Sequence, residues 1–372
     1  MSRLASRLGW VFAGIAVLTL AMPAQAEPLP KKYRKAVRKG LEYLANAQKE
    51  DGHWEGNGGQ YTVPMTGLAG MALLMEGSTM HTGRYSSHIR KAVRWLISRA
   101  RPNKGGPRDG LIGGTLPNER NRYMYGQGFA MLFLASVYGE EEKEDRREEL
   151  KDILTRGVKY IVNAQSTQGG WYYQSAKESN DADEGSVTIT QVQALRAARN
   201  AGIPVPLQSI KKAREYLQKS TDTQGGVIYS LGRRTGTPTG GGRPALTAAA
   251  IACAFNSGEY KGEYVKKWFR FCHTKNQIRR GMGHDEYTQY YYAQAVYILG
   301  DKGWAKLFGK DDPNPLTWSG AKGHRAKAFD AMMSMQSSDG SWNRSGIGPV
   351  YSTSLYTTIM QLDRATLPIY QR

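Results

Sequence analysis

The chain has 372 residues, of which 40% are hydrophobic and 22% are charged, and its formal net charge is +19 at pH 7. The length is enough for one large or two ordinary domains, and the two cysteines exclude a fold held together by a disulfide framework. The positive charge favours anionic partners, but no known nucleic-acid-binding module accompanies it, so nucleic acid is not expected as a partner.

Residues 1–26 have the three parts of a secretory signal peptide. Two arginines precede an apolar run over 10–22, and Ala-Gln-Ala at 24–26 is a small-residue cleavage site. The run is short for a membrane span, so a retained anchor is the less favoured alternative. We therefore predict export to the periplasm or the extracellular space, no transmembrane segment after cleavage, and one domain over 27–372.

The rest of the chain alternates two kinds of predicted helix. The first kind has one charged and one apolar face, which is typical of helices with one side in solvent. It is predicted over 31–48, 86–100, 144–165, 207–220, 260–275 and 321–336. The second kind is almost free of charge, which is typical of helices buried on all sides. It is predicted over 63–76, 122–138, 186–201, 245–257, 287–300 and 351–364.

These twelve segments predict an all-α fold made of six helix pairs. The expected architecture is an α/α toroid, in which an inner barrel of six uncharged helices lies within an outer barrel of six. An open solenoid is the alternative, but it would expose one wall of the uncharged helices. The many Gly and Ala residues of the inner helices either allow close helix packing or leave room for a ligand.

A motif of Gln, a Gly four residues later and a Trp two residues after that joins the helices of a pair. Complete copies are Gln48-Gly52-Trp54, Gln165-Gly169-Trp171 and Gln336-Gly340-Trp342. Degraded copies are Thr221-Gly225-Val227, Gln277-Gly281-Gly283 and a segment at 100–106 whose glycine we take as Gly105. The motif glycines recur at intervals of 53 to 64 residues, so this is a repeat protein.

By this motif the chain resembles the prenyltransferase and squalene-oxidase repeat family, over essentially all of the predicted mature chain. The resemblance implies an α/α toroid in which the motif Gln and Trp fasten helix ends and have no catalytic role. The zinc-binding Asp-x-Cys pair of the protein prenyltransferases does not occur in this sequence. We therefore expect no prenyl transfer, no metal and no cofactor.

Asp181-Ala-Asp183-Glu184 resembles the acid motif of squalene-hopene cyclases, and the resemblance implies that Asp183 is a proton donor. The sequence departs from that motif at Glu184, where the family has Asp. Those cyclases also enclose their substrate between two toroids, whereas this chain has residues for one. The alternative is that these acids cap the third inner helix.

The motif loops place all six inner-helix N-termini at one end of the barrel, which we call the mouth. Helix N-termini favour carboxylates and anions, and the candidate catalytic acids at this end are Asp181, Asp183, Glu184 and Asp285. Tyrosine rings at the same end stack on sugars or face a cation, or they simply pack the barrel. The candidate ligand-binding residues are Tyr61, Tyr123, Tyr125, His284, Tyr287, Tyr290 and Tyr351.

Two long loops, 101–122 and 231–244, are rich in Gly, Pro and Arg, and we interpret them as binding loops or as disordered surface loops. Cys253 and Cys272 are expected as buried thiols or as one disulfide. The predicted function is that of an exported binding or scaffold protein of the cell envelope, whose ligand is an isoprenoid or an anionic glycan. The alternative is a terpenoid cyclase-like or glycan-active enzyme with Asp183 as general acid, in which acids face one another across the mouth.

Overall fold

The computed structural model describes residues 29–120, 122–232, 241–275, 284–364 and 366–371. The predicted signal peptide and the repeat copy at 277–283 lie outside these residues, and the domain boundary at 26 stays a prediction. In the described ranges the regular structure is helical, and the only extended pairing is in two isolated bridges, Trp171 with Glu184 and Thr221 with Val227. No described helix combines the length and the apolar character that a membrane crossing requires.

In the part of the chain that the structure describes, six helices form the outer layer, and each has one side in solvent. They are α1 (Lys31–Ala47), α3 (Ser86–Ala100), α5 (Glu144–Asn163), α7 (Leu207–Lys219), α9 (Glu263–Lys275) and α12 (His324–Ser334). Six helices form the inner layer. They are α2 (Thr62–Met75), α4 (Tyr123–Val137), α6 (Gly185–Asn200), α8 (Pro244–Asn256), α10 (Asp285–Leu299) and α13 (Pro349–Met360). A short helix that the sequence did not predict, α11 (Gly303–Phe308), lies between α10 and α12.

The ring of inner helices is closed. Each inner helix packs against the next, α13 packs back on α2, and α1 packs on α12 and α13. The small inner residues serve this packing, because a Cβ at Gly67 would lie 2.6 Å from the carbonyl oxygen of Phe129 on α4. The molecule is therefore an α/α toroid, as the alternation of charged and uncharged helices predicts, and the open solenoid is excluded.

The Gln and Trp of each complete motif connect the end of one outer helix to the next outer helix. The indole N–H groups of Trp54, Trp171 and Trp342 each donate at 2.7 Å to a carbonyl in the last turn of their own outer helix. The Gln side-chain amide donates both to its motif glycine and to the next outer helix. The acceptors in that next helix are the carbonyls of His88 for Gln48, Ser209 for Gln165 and Ala36 for Gln336.

The motif glycine of the second repeat is Gly110, and the assignment of Gly105 is wrong. Gly110 has a φ of 91°, and a Cβ on it would lie 2.1 Å from the carbonyl oxygen of Arg156 on the next outer helix. Gly52, Gly169 and Gly340 approach the next outer helix in the same way, whereas a Cβ on Gly105 would meet nothing within 4 Å. With Gly110 in this place, the glycines follow one another at nearly constant intervals.

The C-terminal segment enters the inner barrel from the end opposite the mouth. The Gln361 amide donates to the carbonyl of Ala72 near the end of α2 at 3.1 Å. Further on, Ile369 and Tyr370 are buried, and the Tyr370 hydroxyl lies 2.9 Å from that of Tyr290 on α10. The chain's own end therefore fills the barrel below the mouth.

The two cysteines are free and buried. Cys253 lies on α8 and Cys272 lies on α9, and burial raises the pKa of both thiols. The disulfide alternative is therefore wrong, and both residues are core residues.

Candidate functional site

A cavity of about 190 Å³ lies at the N-terminal ends of the inner helices. Its aromatic residues are Tyr61, Tyr125, Phe129, Tyr173, Tyr229, Tyr287 and Tyr351. Its basic residues are Arg122, Arg243 and His284, and its other lining residues are Pro64, Met65, Leu68, Ser186, Ala245, Leu246 and Ile347. No aspartate or glutamate is among the described residues that line it.

Three of the lining residues begin an inner helix in a left-handed backbone conformation. Tyr61, Arg122 and His284 are the N-cap residues of α2, α4 and α10, with φ values of 59°, 56° and 58°. Such φ values are uncommon for residues other than glycine. They cost roughly 1–3 kcal/mol each and cluster at functional sites, where the surrounding structure holds them in place.

Two arginine–tyrosine stacks form one wall of the cavity. The guanidinium carbon of Arg122 lies 4.6 Å from the ring centroid of Tyr173, and that of Arg243 lies 4.8 Å from the ring centroid of Tyr229. The two tyrosine hydroxyls are 2.6 Å apart, so one donates to the other and joins the stacks. Burial raises the pKa of both tyrosines, so both rings are neutral at physiological pH.

Glu184 lies fully buried behind the cavity wall, where it is the N-cap residue of α6. Its carboxylate accepts the backbone N–H groups of Ser186 at 2.8 Å and Val187 at 2.9 Å. It also accepts the Ser186 hydroxyl at 2.5 Å, and that hydroxyl contacts the hydroxyl of Tyr125. Burial raises the pKa of Glu184 to about 6, although these hydrogen bonds favour the ionised form.

Asp183 faces away from the cavity. One of its carboxylate oxygens accepts the Tyr216 hydroxyl of outer helix α7 at 2.9 Å and the backbone N–H of Leu231 at 3.0 Å. Burial raises the pKa of the Asp183 carboxyl. These contacts anchor the loop that carries Tyr229, so Asp183 has the environment of a structural anchor.

The other two predicted acids also lie outside the cavity lining. Asp181 accepts the backbone N–H of Thr167 at 2.8 Å, in the preceding motif loop. Asp285 lies in the first turn of α10, where a carboxylate suits the helix dipole. None of the four acids lines the cavity. Their catalytic role stays a prediction.

Five of the seven predicted ligand-binding residues line the cavity together: Tyr61, Tyr125, His284, Tyr287 and Tyr351. Tyr123 instead donates to Glu178 at 2.8 Å and lines a smaller neighbouring cavity. Tyr290 lies deeper in the barrel, where its hydroxyl contacts that of Tyr370. Of the loop arginines, Arg122 and Arg243 line the cavity and Arg108 pairs with Glu178, while Arg233 and Arg234 lie outside the described residues.

Sequence reasoning missed Tyr173 and Tyr229, although the sequence holds a signal for them. Each lies four residues after its motif glycine, Gly169 or Gly225, so the two occupy the same position in successive repeats. Because successive repeats are neighbours in the ring, two tyrosines at the same repeat position lie side by side. In the described part of the chain, no group of three His, Cys, Asp or Glu side chains is placed to hold a metal ion.

No protein-family model matches the sequence, but several solved structures share the fold. The α-1,6-mannanase GH76A from Salegentibacter sp. HEL1_6 has 11% identity and a TM-score of 0.56, covering 90% of this chain and 99% of the mannanase. The unsaturated glucuronyl hydrolase from Bacillus sp. GL1 has 13% identity and a TM-score of 0.60, covering 91% and 99%. A D-mannose isomerase has 10% identity and a TM-score of 0.59, covering 92% and 99%.

At these identities the likeness shows the fold. The chain is an α/α toroid. Variants of the mannanase in which two adjacent aspartates are replaced are inactive, and they have been solved in complex with mannotriose and mannotetrose.

Proposed function

We propose that this protein is an exported, glycan-active toroid that binds an acidic saccharide in the cavity at the mouth. The observation that carries the proposal is the wall formed by the Arg122–Tyr173 and Arg243–Tyr229 stacks. It combines two cations with neutral aromatic rings in a cavity whose described lining holds no acid.

This combination suits a sugar that carries a carboxylate or a sulfate. Aromatic faces pack against the apolar face of a sugar ring, and tyrosine hydroxyls bind its polar edge. A guanidinium group binds a carboxylate with two parallel hydrogen bonds. The six inner-helix N-termini also make this end of the barrel favourable for an anion.

The structural neighbours support a saccharide over an isoprenoid ligand. The mannanase, the glucuronyl hydrolase and the mannose isomerase are named for sugar substrates, and the hydrolase is described as responsible for glycosaminoglycan degradation. Export is supported by the signal-peptide pattern of residues 1–26. Membership of the squalene-cyclase repeat family is supported by the contacts of the motif Gln and Trp side chains.

The expected arrangement of acids facing one another across the mouth has no support in the cavity. Glycosidases of that type place two carboxylates on either side of the scissile bond. Here Asp183 contacts an outer helix, and Asp285 is outside the described lining. Glu184 lies directly behind the lining, in contact with the lining residue Ser186.

The proposal predicts that an acidic trisaccharide binds and that its neutral counterpart does not. Isothermal calorimetry with trigalacturonate and with its neutral methyl ester measures both affinities. Arg122→Gln and Arg243→Gln each remove one guanidinium group, and we expect each to weaken trigalacturonate binding about tenfold or more, since hydrogen bonds to charged groups contribute roughly 1.5–3 kcal/mol.

The matched control is Arg84→Gln, an exposed arginine that precedes α3 and pairs with Glu42 of α1, away from the cavity lining. It should leave binding unchanged. Equal affinity for the neutral trisaccharide would contradict the role of the arginines. Binding of geranylgeraniol in place of both sugars would overturn the saccharide proposal in favour of an isoprenoid.

A further inference from the structure

A continuous line of hydrogen-bonding groups connects buried Glu184 with the cavity. The Glu184 carboxylate contacts the Ser186 hydroxyl at 2.5 Å, and the Ser186 hydroxyl contacts the Tyr125 hydroxyl. Glu184 is fully buried, whereas Ser186 and Tyr125 both line the cavity and are half-buried. The line therefore begins at a fully buried acid and ends at the cavity.

The protonation state of Glu184 sets the direction of every hydrogen bond in this line. When Glu184 is ionised, Ser186 donates to it and Tyr125 donates to Ser186, so the line presents lone pairs to the cavity. When Glu184 is protonated, its O–H donates to Ser186, Ser186 donates to Tyr125, and the Tyr125 O–H is free to donate into the cavity. Protonation of Glu184 thus changes Tyr125 from a hydrogen-bond acceptor to a hydrogen-bond donor toward the cavity.

We propose that Glu184, Ser186 and Tyr125 form a proton-transfer line in which Tyr125 is the general acid that protonates the glycosidic oxygen of a bound saccharide. This inference rests on the proposed saccharide site. Tyr125 is the catalytic residue, because it reaches the cavity, and Glu184 acts through it.

The step balances with water as the only co-reactant. The Tyr125 proton passes to the glycosidic oxygen, the Ser186 proton replaces it, and the Glu184 proton replaces that of Ser186. The bond between C1 and the glycosidic oxygen breaks, and its electron pair stays on the protonated leaving group. Water adds at C1 and releases a proton, and a proton passes back from the cavity through Tyr125 and Ser186 to Glu184.

The surroundings of Glu184 are suited to this task. The titratable groups that face it from the neighbouring elements are Tyr125 of α4, Tyr173, Tyr216 of α7, Tyr229 and Tyr287 of α10. Burial raises the pKa of all five, so they stay neutral while Glu184, with a pKa of about 6, exchanges its proton. The adjacent acid, Asp183, faces away toward α7.

The raised pKa of Tyr125 also explains why the line is needed. A buried phenolate is costly, so Tyr125 gives up its proton only if another arrives in the same step. Ser186 delivers that proton. His284 also lines the cavity, and any test has to separate its contribution from that of Glu184.

The first test measures protons taken up when trigalacturonate binds at pH 6, by calorimetry in two buffers of different ionisation enthalpy. A ligand that accepts a hydrogen bond from Tyr125 favours protonated Glu184, so we expect uptake of a fraction of a proton by the wild type. Glu184→Gln and Tyr125→Phe should each abolish the uptake. Ser186→Ala leaves only the longer contact of 3.4 Å between the Tyr125 hydroxyl and the Glu184 carboxylate, so it should reduce the uptake. The control Tyr33→Phe, which removes a hydroxyl that donates to Asp330 in the outer layer, away from the cavity lining, should retain the uptake.

The second test compares the hydrolysis of methyl and 4-nitrophenyl glucuronides. The methyl leaving group requires protonation, so Glu184→Gln and Tyr125→Phe should slow its release about 100-fold, a typical contribution of general acid catalysis. Nitrophenolate leaves without a proton, so its release should fall less than about threefold. Thermal unfolding confirms that each variant is folded.

Each result decides between the two proposals. Binding of trigalacturonate without proton uptake overturns the line and leaves the saccharide site standing. Uptake that survives in Glu184→Gln but is lost in His284→Gln also overturns it, as does equal slowing of both glucuronides or no hydrolysis by the wild type. Absence of binding overturns the saccharide site, and the inference fails with it.

Discussion

Two buried ionisable residues respond to pH in opposite directions. Burial raises the pKa of Glu184 to about 6 and lowers the pKa of His324 to about 4. His324 lies at the start of α12 between Tyr292 and Trp318, and its Nε2 atom has no partner there. In both cases the interior disfavours the charged form.

These shifts predict opposite effects on the free energy of unfolding. Between pH 4.5 and 6 the folded chain holds a proton on Glu184 that the unfolded chain releases, so Glu184 costs up to roughly 2 kcal/mol of stability as pH rises through this window. Between pH 6.5 and 4 the unfolded chain protonates His324 and the folded chain does not, so His324 costs up to roughly 3 kcal/mol as pH falls.

Urea unfolding at several pH values of the wild type, Glu184→Gln and His324→Phe measures both effects. We expect Glu184→Gln to gain stability relative to wild type as pH rises from 4.5 to 6. His324→Phe should gain relative to wild type as pH falls from 6.5 to 4. Parallel pH curves for all three proteins would contradict these assignments.

At the residue scale, the sequence predicted the composition of the mouth better than its chemistry. Tyr61, Tyr125 and Tyr287 were expected there because they lie near inner-helix N-termini, and they line the cavity. The orientation of Asp183 was not predictable, since its Tyr216 partner is 33 residues away on another helix. Side-chain direction depends on such partners and not on local sequence.

At the scale of the element, the motif loop joins neighbouring repeats because its backbone packs closely against the next outer helix. A left-handed glycine allows the loop backbone to contact the next outer helix, where a Cβ would be 2.1 to 2.6 Å from a carbonyl oxygen at Gly52, Gly110, Gly169 and Gly340. The Gln side chain then donates across the same junction. Contacts between repeats therefore explain why the motif has Gly and Gln at these positions.

Gly110→Ala and Gly105→Ala make a matched pair for this explanation. Both residues have positive φ, which costs an alanine about 1–2 kcal/mol. Only Gly110 also approaches the backbone of α5, and relieving that clash costs about 1–3 kcal/mol more. Chemical denaturation should show the larger loss of stability for Gly110→Ala. Equal losses for the two variants would contradict the assignment of Gly110 as the motif glycine.

The elements themselves were predicted well where the pattern is long. All twelve helices of the ring were predicted within a few residues. Each has a pattern, either one charged face or no charged face, that extends over three or more turns. The short helix α11 was missed, since six residues are too few to show a period. The last inner helix was predicted to reach 364, but it ends at Met360, and Gln361 then bonds to α2.

At the scale of the whole molecule, the two ends of the chain complete the ring. The Gln336 amide donates to the carbonyl of Ala36, which joins the last motif to the first outer helix. The C-terminal Tyr370 is buried inside the barrel and contacts Tyr290. Stability therefore depends on contacts between residues some 300 positions apart in the chain.

Tyr370 tests how much the C-terminal segment contributes. Tyr370→Ala removes a fully buried ring and should cost about 3–5 kcal/mol. Tyr370→Phe removes only the hydroxyl contact with Tyr290 and should cost about 1 kcal/mol. Thermal and urea unfolding measure both, and a negligible effect of Tyr370→Ala would show that the barrel is stable without its C-terminal end.

The sequence by itself determined the repeat, the alternation of outer and inner helices, the closed toroid and the end of the barrel at which the candidate site lies. These follow from periodic patterns, which the chain carries locally in every repeat. Only the tertiary structure decided which side chains meet at that end. Arg122 with Tyr173, Arg243 with Tyr229, and Glu184 behind Ser186 and Tyr125 are brought together by ring closure, because a closed ring places residues from different repeats around one axis.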